Sequence, residues 1–246
     1  MIAESESMRK VAAVIERVAP TDASVLLWGE TSVGREFVGR TIHERSRRAD
    51  GPWVTFNGAV LADFLHHEQL FGSAAKAGSP RRPGLLERAS GGTLFLNAIN
   101  EMGLETQAEL LRVLQAGRFR PAGAEQDTPL DVRLISASYN PERETAAGGL
   151  LRDLHDRLSE VLLELPPLRW RREDIPALAK HFLREAWQAG ELCDQPVPRL
   201  APDALQALAE HPWPANLEQL QLTMDYVSFR VAPGTEITAA DIVFAP

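Results

Sequence analysis

The stretch "ASVLLWGETSVGRE" (residues 23–36) determines how the rest of the sequence is interpreted. Its first half, "ASVLLWG" (23–29), is a continuous apolar run that ends in glycine, which predicts a short buried strand. Its second half, "GETSVGRE" (29–36), joins this strand to a predicted helix whose apolar face begins at Phe37. A strand, a tight loop and a helix in this order are typical of α/β folds with a parallel sheet.

The loop has the glycine spacing of a phosphate-binding loop, in which backbone N–H groups and a helix N-terminus converge on phosphate oxygens. Arg35 stands where such loops have lysine, and its larger planar fork places the hydrogen-bond donors differently. Two alternatives stay open: Arg35 binds a phosphate, or it pairs with a nearby acid and the loop is only a tight turn. The candidate nucleotide-binding residues are Gly29, Glu30, Thr31, Ser32, Val33, Gly34, Arg35 and Glu36.

Strand and helix patterns alternate outward from this loop, which predicts an α/β domain over residues 1–170. After Arg171 no further strand is predicted, so we expect a helical second domain over residues 171–246. The stretch 72–84 is rich in Gly, Ser and Pro and is predicted to be an exposed loop. The predicted strands outside the opening stretch are 52–57, 93–97 and 161–165, with two further strand-like ends in the stretch 117–138. The predicted helices include 6–19, 60–71, 174–189, 202–210 and 216–229.

Composition limits the class of protein. The 246 residues are 44% hydrophobic and 24% charged, and neither a membrane-spanning run nor a secretion signal is recognisable, so we expect a cytoplasmic protein without membrane contact. The single Cys193 excludes an internal disulfide. A net charge of −8 argues against this chain wrapping nucleic acid by itself. The histidines lack the spacing of metal ligands, so no metal site is predicted.

A second informative stretch is "GGTLFLNAINEM" (91–102). In nucleotide-hydrolysing folds the end of such a buried strand carries carboxylates that hold magnesium and orient water. Here the strand ends in Asn97 and Ala98, and neither side chain is ionisable. Asn97 either keeps a metal contact or satisfies backbone groups at the strand end, and the sequence leaves both alternatives open.

Together these segments resemble the central AAA+ ATPase domain of sigma-54-dependent transcription activators, the bacterial enhancer-binding proteins. The resemblance implies an AAA+ P-loop-type parallel sheet flanked by helices, a small C-terminal α-helical lid, and a ring-forming ATPase that remodels the sigma-54 polymerase complex. It covers nearly the whole chain, and its most specific segments are "EQLFG" (68–72), "GGTLFL" (91–96), "LLRVLQ" (110–115), "LPPLRWRREDIPALAKHFL" (165–183) and "WPANLEQL" (213–220).

Several positions depart from what the resemblance implies. Asn97 and Ala98 replace the aspartate for magnesium and the glutamate that activates water, which costs about 10³-fold in rate or more. We therefore expect a degenerate member without ATP hydrolysis, in which the catalytic positions Asn97 and Ala98 are inactive and magnesium is not bound. The sensor position is Tyr139, with Asn140 one place later, and the sensor arginine of the lid is replaced by Glu218. A negative charge at Glu218 would repel phosphates.

Two further features concern partners. The inter-subunit arginine candidates are Arg152, shifted by one position, and Arg157, which matches the second arginine and reaches either a neighbouring subunit or a surface acid. The stretch 72–84 lacks the Gly-Ala-Phe-Thr-Gly-Ala loop with which family members engage sigma-54. We therefore expect no sigma-54 contact by that loop, and DNA binding only through a domain that is not in this chain.

The leading hypothesis is a degenerate AAA+ domain of a bacterial transcription regulator that acts by homo-oligomerisation, by contact with other transcription-regulator subunits or RNA polymerase, or by ligand sensing. One alternative is a receptor domain for cyclic di-GMP or for ATP and ADP, bound weakly. Another alternative is an unconventional, weak ATPase.

Overall fold

A computed structural model describes residues 1–60, 62–75, 80–139, 145, 149–190 and 193–245. The chain forms two compact units, each considered by itself below. The sheet unit consists of residues 13–29 and 35–164, and the helical unit consists of residues 1–12, 30–34 and 165–246. The predicted domain boundary between residues 170 and 171 stays a prediction.

The sheet unit is built on five parallel strands in the order β2-β3-β4-β1-β5. Because helices cover both faces of a parallel sheet, its central strands are largely apolar and buried, and β1 and β3 are buried along nearly their whole length. The strands are β1 (Val25–Trp28), β2 (Trp53–Asn57), β3 (Thr93–Asn97), β4 (Arg133–Ser138) and β5 (Val161–Glu164). The helices are α1 (Glu6–Val18), of which residues 13–18 belong to this unit, α2 (Arg35–Glu44), α3 (Asp63–Phe71), α4 (Leu85–Arg88), α5 (Leu104–Ala116) and α6 (Arg152–Leu158).

The parallel arrangement brings the carboxyl ends of all five strands to one edge of the sheet. Asn57 of β2 lies beside Asn97 of β3 in the strand register. In open α/β sheets ligands bind outside this edge, so it is the place to look for chemistry. The predicted α/β fold with a parallel sheet is confirmed.

A buried arginine fastens the end of α1 to the sheet. The guanidinium of Arg133 on β4 donates hydrogen bonds to the carbonyl oxygens of Val18 at 2.9 Å and Ala19 at 2.8 Å. These carbonyls end α1 and have no partner within the helix, so the arginine both caps the helix and fixes it to β4.

The helical unit contains α7 (Ile175–Ala189), α8 (Pro202–Glu210) and α9 (Asn216–Ser228), as predicted. Trp213 lies at the centre of its apolar core and donates its indole N–H to the carbonyl of Leu208 at 2.8 Å. Among the residues that the structure describes, no helix is both long and apolar enough to cross a membrane.

Two short strand pairs differ from the sequence-based expectation. Residues 72–73 pair antiparallel with 82–83, inside the stretch predicted to be only an exposed loop. Residues 199–200 pair in parallel with 236–237, beyond Arg171, where no strand is predicted. Each strand has two residues, too few to produce a recognisable alternation of apolar and polar side chains.

Candidate functional site

The carboxyl end of β3 carries Asn97 and Ala98. Asn97 Oδ1 accepts a hydrogen bond from the backbone N–H of Ala98 at 3.0 Å, and Ala98 itself adopts a left-handed conformation with φ 50°. The carbonyl of Asn97 accepts the N–H of Gly58 at 3.0 Å. The side-chain amide oxygen of Asn97 therefore provides a hydrogen-bond acceptor for a backbone N–H of the turn that follows the strand. Neither residue supplies a charge for magnesium or a base for water.

Arg35 begins α2 and is held close to the sheet edge by its own unit. Its Nη1 donates to the carbonyl of Gly29 and, at 3.3 Å, to the carbonyl of Ser138 at the end of β4. Its guanidinium also lies 4.6 Å from the ring centre of Tyr139, within cation–π distance. The sequence predicted that Arg35 binds a phosphate or pairs with an acid. The contacts described here are instead with two backbone carbonyls and an aromatic ring.

The sheet unit also contains the predicted sensor position Tyr139 and the predicted loop residue Glu36. Tyr139 is part of the arginine contact just described, and Asn140 lies outside the described residues. Glu36 lies in the first turn of α2, where a negative charge interacts favourably with the helix dipole.

Residues 30–34 of the candidate loop belong to the helical unit, where Glu30 forms a bidentate ion pair with Arg169. Arg169 Nη1 lies 2.8 Å from Glu30 Oε2, and the amide of Asn216 donates to the same oxygen at 3.2 Å. Asn216 also donates to the carbonyl of Thr31 at 2.9 Å and accepts the N–H of Leu168 at 2.8 Å. Its bonds with Arg169 and Asn216 hold the pKa of Glu30 below its ordinary value, against an opposing contribution from burial.

Ser32 is tied to the start of α9. The hydroxyl of Ser32 donates to Glu218 Oε2 at 2.8 Å, and the carbonyl of Ser32 accepts the N–H of Leu217 at 3.0 Å. Ser32 has φ 58°, a conformation that glycine adopts more easily than serine. Glu218, predicted as a sensor position that repels phosphate, thus accepts a hydrogen bond from the loop instead.

Val33 is held by a buried arginine. Arg171 Nη2 donates to the carbonyl of Val33 at 2.8 Å, and Arg171 Nη1 lies 3.4 Å from the sulfur of Met8. Burial lowers the pKa of Arg171 to about 10, while Asp174 opposes that shift. At neutral pH the group stays protonated, so a charged donor fixes the loop carbonyl.

The inter-subunit arginine candidates lie on α6. Arg157 Nη1 lies 3.5 Å from Glu160 Oε1, and both side chains are about half exposed. Arg152 is exposed, and no ion pair of its side chain is found within the described part of the chain. Of the two, Arg152 is the one for which the described residues provide no ion-pair partner.

The catalytic positions Asn97 and Ala98 provide no carboxylate for a divalent cation. Magnesium prefers carboxylate and phosphate oxygens, whereas β3 ends in an amide and a methyl group. Among the described residues, no group of three or more His, Cys, Asp or Glu side chains is arranged to hold a metal ion.

Arg169 and Asn216, which hold Glu30 in place, were not predicted from the sequence. They are 139 and 186 positions away from Glu30 in the chain, so no spacing pattern connects them. A usable signal was Glu30 itself, since a carboxylate in a loop of the phosphate-binding type favours a cation as its partner.

Known protein families match both parts of the chain. Residues 1–164 match the sigma-54 interaction domain, and residues 169–245 match the AAA+ ATPase lid domain. The chain is 37% identical over 225 residues to the DNA-binding transcriptional regulator NtrC of Rhizobium meliloti, covering 90% of this chain and 46% of that protein. It is 39% identical over 246 residues to the transcriptional regulatory protein ZraR of Salmonella typhimurium, covering 95% and 55%. The chain thus spans about half the length of these relatives.

Solved structures of NtrX from Brucella abortus are also similar. One has a TM-score of 0.87 at 36% identity and covers 97% of this chain and 55% of that one. NtrX in complex with ATP has a TM-score of 0.86 at 36% identity, covering 99% and 56%. Because the family model covers residues 1–164, the chain belongs to the sigma-54 interaction domain family.

Proposed function

We propose that this chain is the AAA+ domain of a sigma-54-type transcription regulator that has lost ATP hydrolysis and acts through assembly with other copies or other regulator subunits. The observation that carries this proposal is the carboxyl end of β3. There Asn97 uses its amide oxygen to close the turn, and Ala98 presents a methyl group. Two acids would be needed at these positions to hold magnesium and activate water.

The surroundings of Arg35 support the same proposal. A P-loop lysine acts as a point charge on the outer phosphates, whereas the guanidinium of Arg35 is engaged by Gly29, Ser138 and Tyr139. A ligand would have to displace these contacts before the arginine could contact a phosphate. The loop residues Glu30 and Ser32 are likewise engaged by side chains of the helical unit.

Binding of ATP or ADP without turnover is a second candidate. It is favoured by the similarity to NtrX of Brucella abortus, whose structures include complexes with ADP and with ATP. In the sheet unit, the backbone N–H groups at the N-terminus of α2 would bind the phosphates of such a nucleotide. Cyclic di-GMP stays a prediction and is tested as a third ligand.

Assembly is the positive part of the proposed function. Arg152 is the better candidate for contact with a neighbouring copy, because Arg157 already has Glu160 as a partner. Contacts with RNA polymerase are a further proposal, and recognition of DNA is assigned to a domain outside this chain. The stretch 72–84 lacks the family's sigma-54 loop, so sigma-54 engagement is not part of the proposal.

A phosphate-release assay tests the loss of hydrolysis. We expect no ATP-dependent release from the pure chain, with or without magnesium. Turnover of about one per second, within the usual enzyme range, would refute the proposal if it disappears in Arg35→Ala. Release that persists in Arg35→Ala would identify a contaminating ATPase.

Calorimetric titration with ATP, ADP and cyclic di-GMP tests binding, and mass measurement in solution tests assembly. We expect an oligomer whose mass does not depend on nucleotide. Arg152→Ala should lower that mass, while Arg157→Ala serves as the matched control. A monomer at every concentration would contradict the assembly part of the proposal.

A further inference from the structure

The helical unit contains a cavity that shares no residue with the candidate site. It lies between α7 and the segment 197–200 and has a volume of about 400 Å³. That volume falls within the roughly 300–1,000 Å³ of small-molecule sites. Its walls are partly polar and partly apolar.

Three cations line this cavity: Lys180 and Arg184 on α7, and Arg199 from the opposite wall. Among the residues that the structure describes, none of those that line the cavity is acidic. Within the described part of the chain, none of the three side chains has an ion pair or a hydrogen bond. Glu236 is the strand-register partner of Arg199, yet the two side chains form no ion pair.

A second arginine-lined cavity, of about 360 Å³ in the sheet unit, provides the comparison. There Asp127 pairs with Arg120 at 2.8 Å and with Arg118 at 3.6 Å. Arg112 pairs with Glu109. That cavity balances its cations with nearby carboxylates, whereas the described residues around the cavity of the helical unit form no ion pair with its three cations.

The two cations of α7 stand at an unfavourable spacing. Lys180 and Arg184 are four residues apart, so they lie on one face of the helix and their like charges repel each other. Elsewhere on the helices the same spacing joins opposite charges, as in Lys10 with Glu6 at 2.7 Å. An anion between Lys180 and Arg184 would turn this repulsion into a shared attraction.

The wall that carries Arg199 is fixed in place. Trp187 on α7 donates its indole N–H to the carbonyl of Gln195 at 3.0 Å. The N–H of Gly234 donates to the carbonyl of Pro196 at 2.8 Å, and the N–H of Arg199 donates to the carbonyl of Thr235 at 3.0 Å. The backbone that presents the third cation is therefore held from both sides, which reduces the ordering that a ligand would require.

The floor of the cavity is apolar. Leu183 and Pro198 are buried, while Val197 stays partly exposed at the rim. A ligand that is charged at one end and apolar at the other fits this arrangement better than a free inorganic ion, because only such a ligand uses both surfaces.

We propose that this cavity binds a small phosphate-bearing molecule, with its phosphate among Lys180, Arg184 and Arg199 and its apolar part over Leu183 and Val197. Two guanidinium groups favour phosphate, since each can donate two parallel hydrogen bonds. A nucleic-acid backbone offers the same phosphate chemistry, but the net charge of −8 opposes a long polyanion.

Calorimetry with inorganic pyrophosphate as the probe, on the full chain, tests this site. We expect binding at low salt that weakens as NaCl rises through about 0.1 M and beyond, because exposed charges are screened. Lys180→Gln and Arg184→Gln should each weaken binding about tenfold, the loss of one charge-assisted hydrogen bond. Arg17→Gln, which removes a cation at the end of α1, is the matched control and should leave affinity unchanged.

Thermal unfolding provides a second measurement, in which the substitution should raise Tm without ligand and lower the stabilisation that the ligand gives. Without ligand, Arg184→Gln should raise Tm by about 1 °C by removing the repulsion, and it should reduce the Tm gain that pyrophosphate gives the unchanged chain. Loss of pyrophosphate binding in Arg35→Gln but not in Arg184→Gln would move the phosphate to the loop 29–36 and overturn the proposal. A short single-stranded DNA that binds more tightly than pyrophosphate and depends on Arg184 would overturn the small-molecule assignment. If neither pyrophosphate nor phenyl phosphate, which adds an apolar group to the phosphate, binds at millimolar concentration, the proposal is also overturned.

Discussion

The ion pair between Glu30 and Arg169 can be measured by a double-mutant cycle. The variants are Glu30→Gln, Arg169→Gln and the two combined, each of which removes a charge and keeps a polar side chain. The amide oxygen introduced by Glu30→Gln can still accept from Asn216, so the cycle isolates the bidentate contact from the rest of the network.

The size of the coupling follows from geometry and exposure. The side chains of Arg169 and Glu30 are 34% and 42% exposed, so solvent screens the pair and its energy lies well below that of a buried one. The bidentate arrangement raises it above an ordinary surface pair. We therefore expect a coupling of about 1–1.5 kcal/mol, equal to about 3–5 °C in Tm for a chain of this length.

Urea and thermal unfolding at neutral pH are the assays. The pKa of Glu30 is lowered in the folded state, so its contribution is complete above about pH 4.5 and disappears as the pH falls through the folded-state value. The coupling should thus be equal at pH 7 and pH 6 and should vanish in strong acid. A coupling below about 0.3 kcal/mol at low salt would refute the view that this pair holds the loop.

Three further predictions concern stability. Asp174→Ala should lower the free energy of unfolding in urea by about 3 kcal/mol, because the buried carboxylate accepts the N–H groups of Glu4 at 2.6 Å and Ser5 at 2.8 Å. Asp174→Asn should lower it by less than half as much, and equal losses in the two variants would contradict this account. Burial lowers the pKa of His43, so its neutral form is favoured in the folded state and stability should fall as the pH drops below about 6.5. His43→Gln keeps a polar partner for Thr93, and in this variant the Tm difference between pH 7.5 and pH 5.5 should be smaller. Ser32→Ala should be about 1 kcal/mol less stable than Ser32→Gly by thermal unfolding. Both variants lose the hydrogen bond to Glu218, but only alanine keeps the strain of a left-handed backbone at this position. Equal Tm values would argue against strain at residue 32.

Long elements were predictable from the sequence because their side chains repeat with a clear period. The apolar run of β1 and the helical spacing of α7 and α9 each correspond to one buried face, so pattern and burial carry the same information. The family followed from ordered motifs, and these motifs alone were enough to place Asn97 and Ala98 at the end of β3.

The side-chain network around the loop could not be predicted in this way. Whether Arg35 contacts a phosphate, an acid or backbone carbonyls depends on where β4 ends, and the sequence contains no signal for that distance. The role of Asn216 depends on a left-handed backbone at φ 53°, which brings its amide to Glu30 and Thr31. Contacts of this kind are set by tertiary packing rather than by local pattern.

The internal bonding of residues 30–34 has a consequence for how such a domain would respond to the state of the cell. A loop that is ordered by a nucleotide forms and relaxes with the supply of that nucleotide. Here Arg169, Asn216 and Arg171 provide the loop with its bonds from within the chain. The loop would therefore keep its shape whether or not a nucleotide is present, and its ordering would not depend on the supply of ATP.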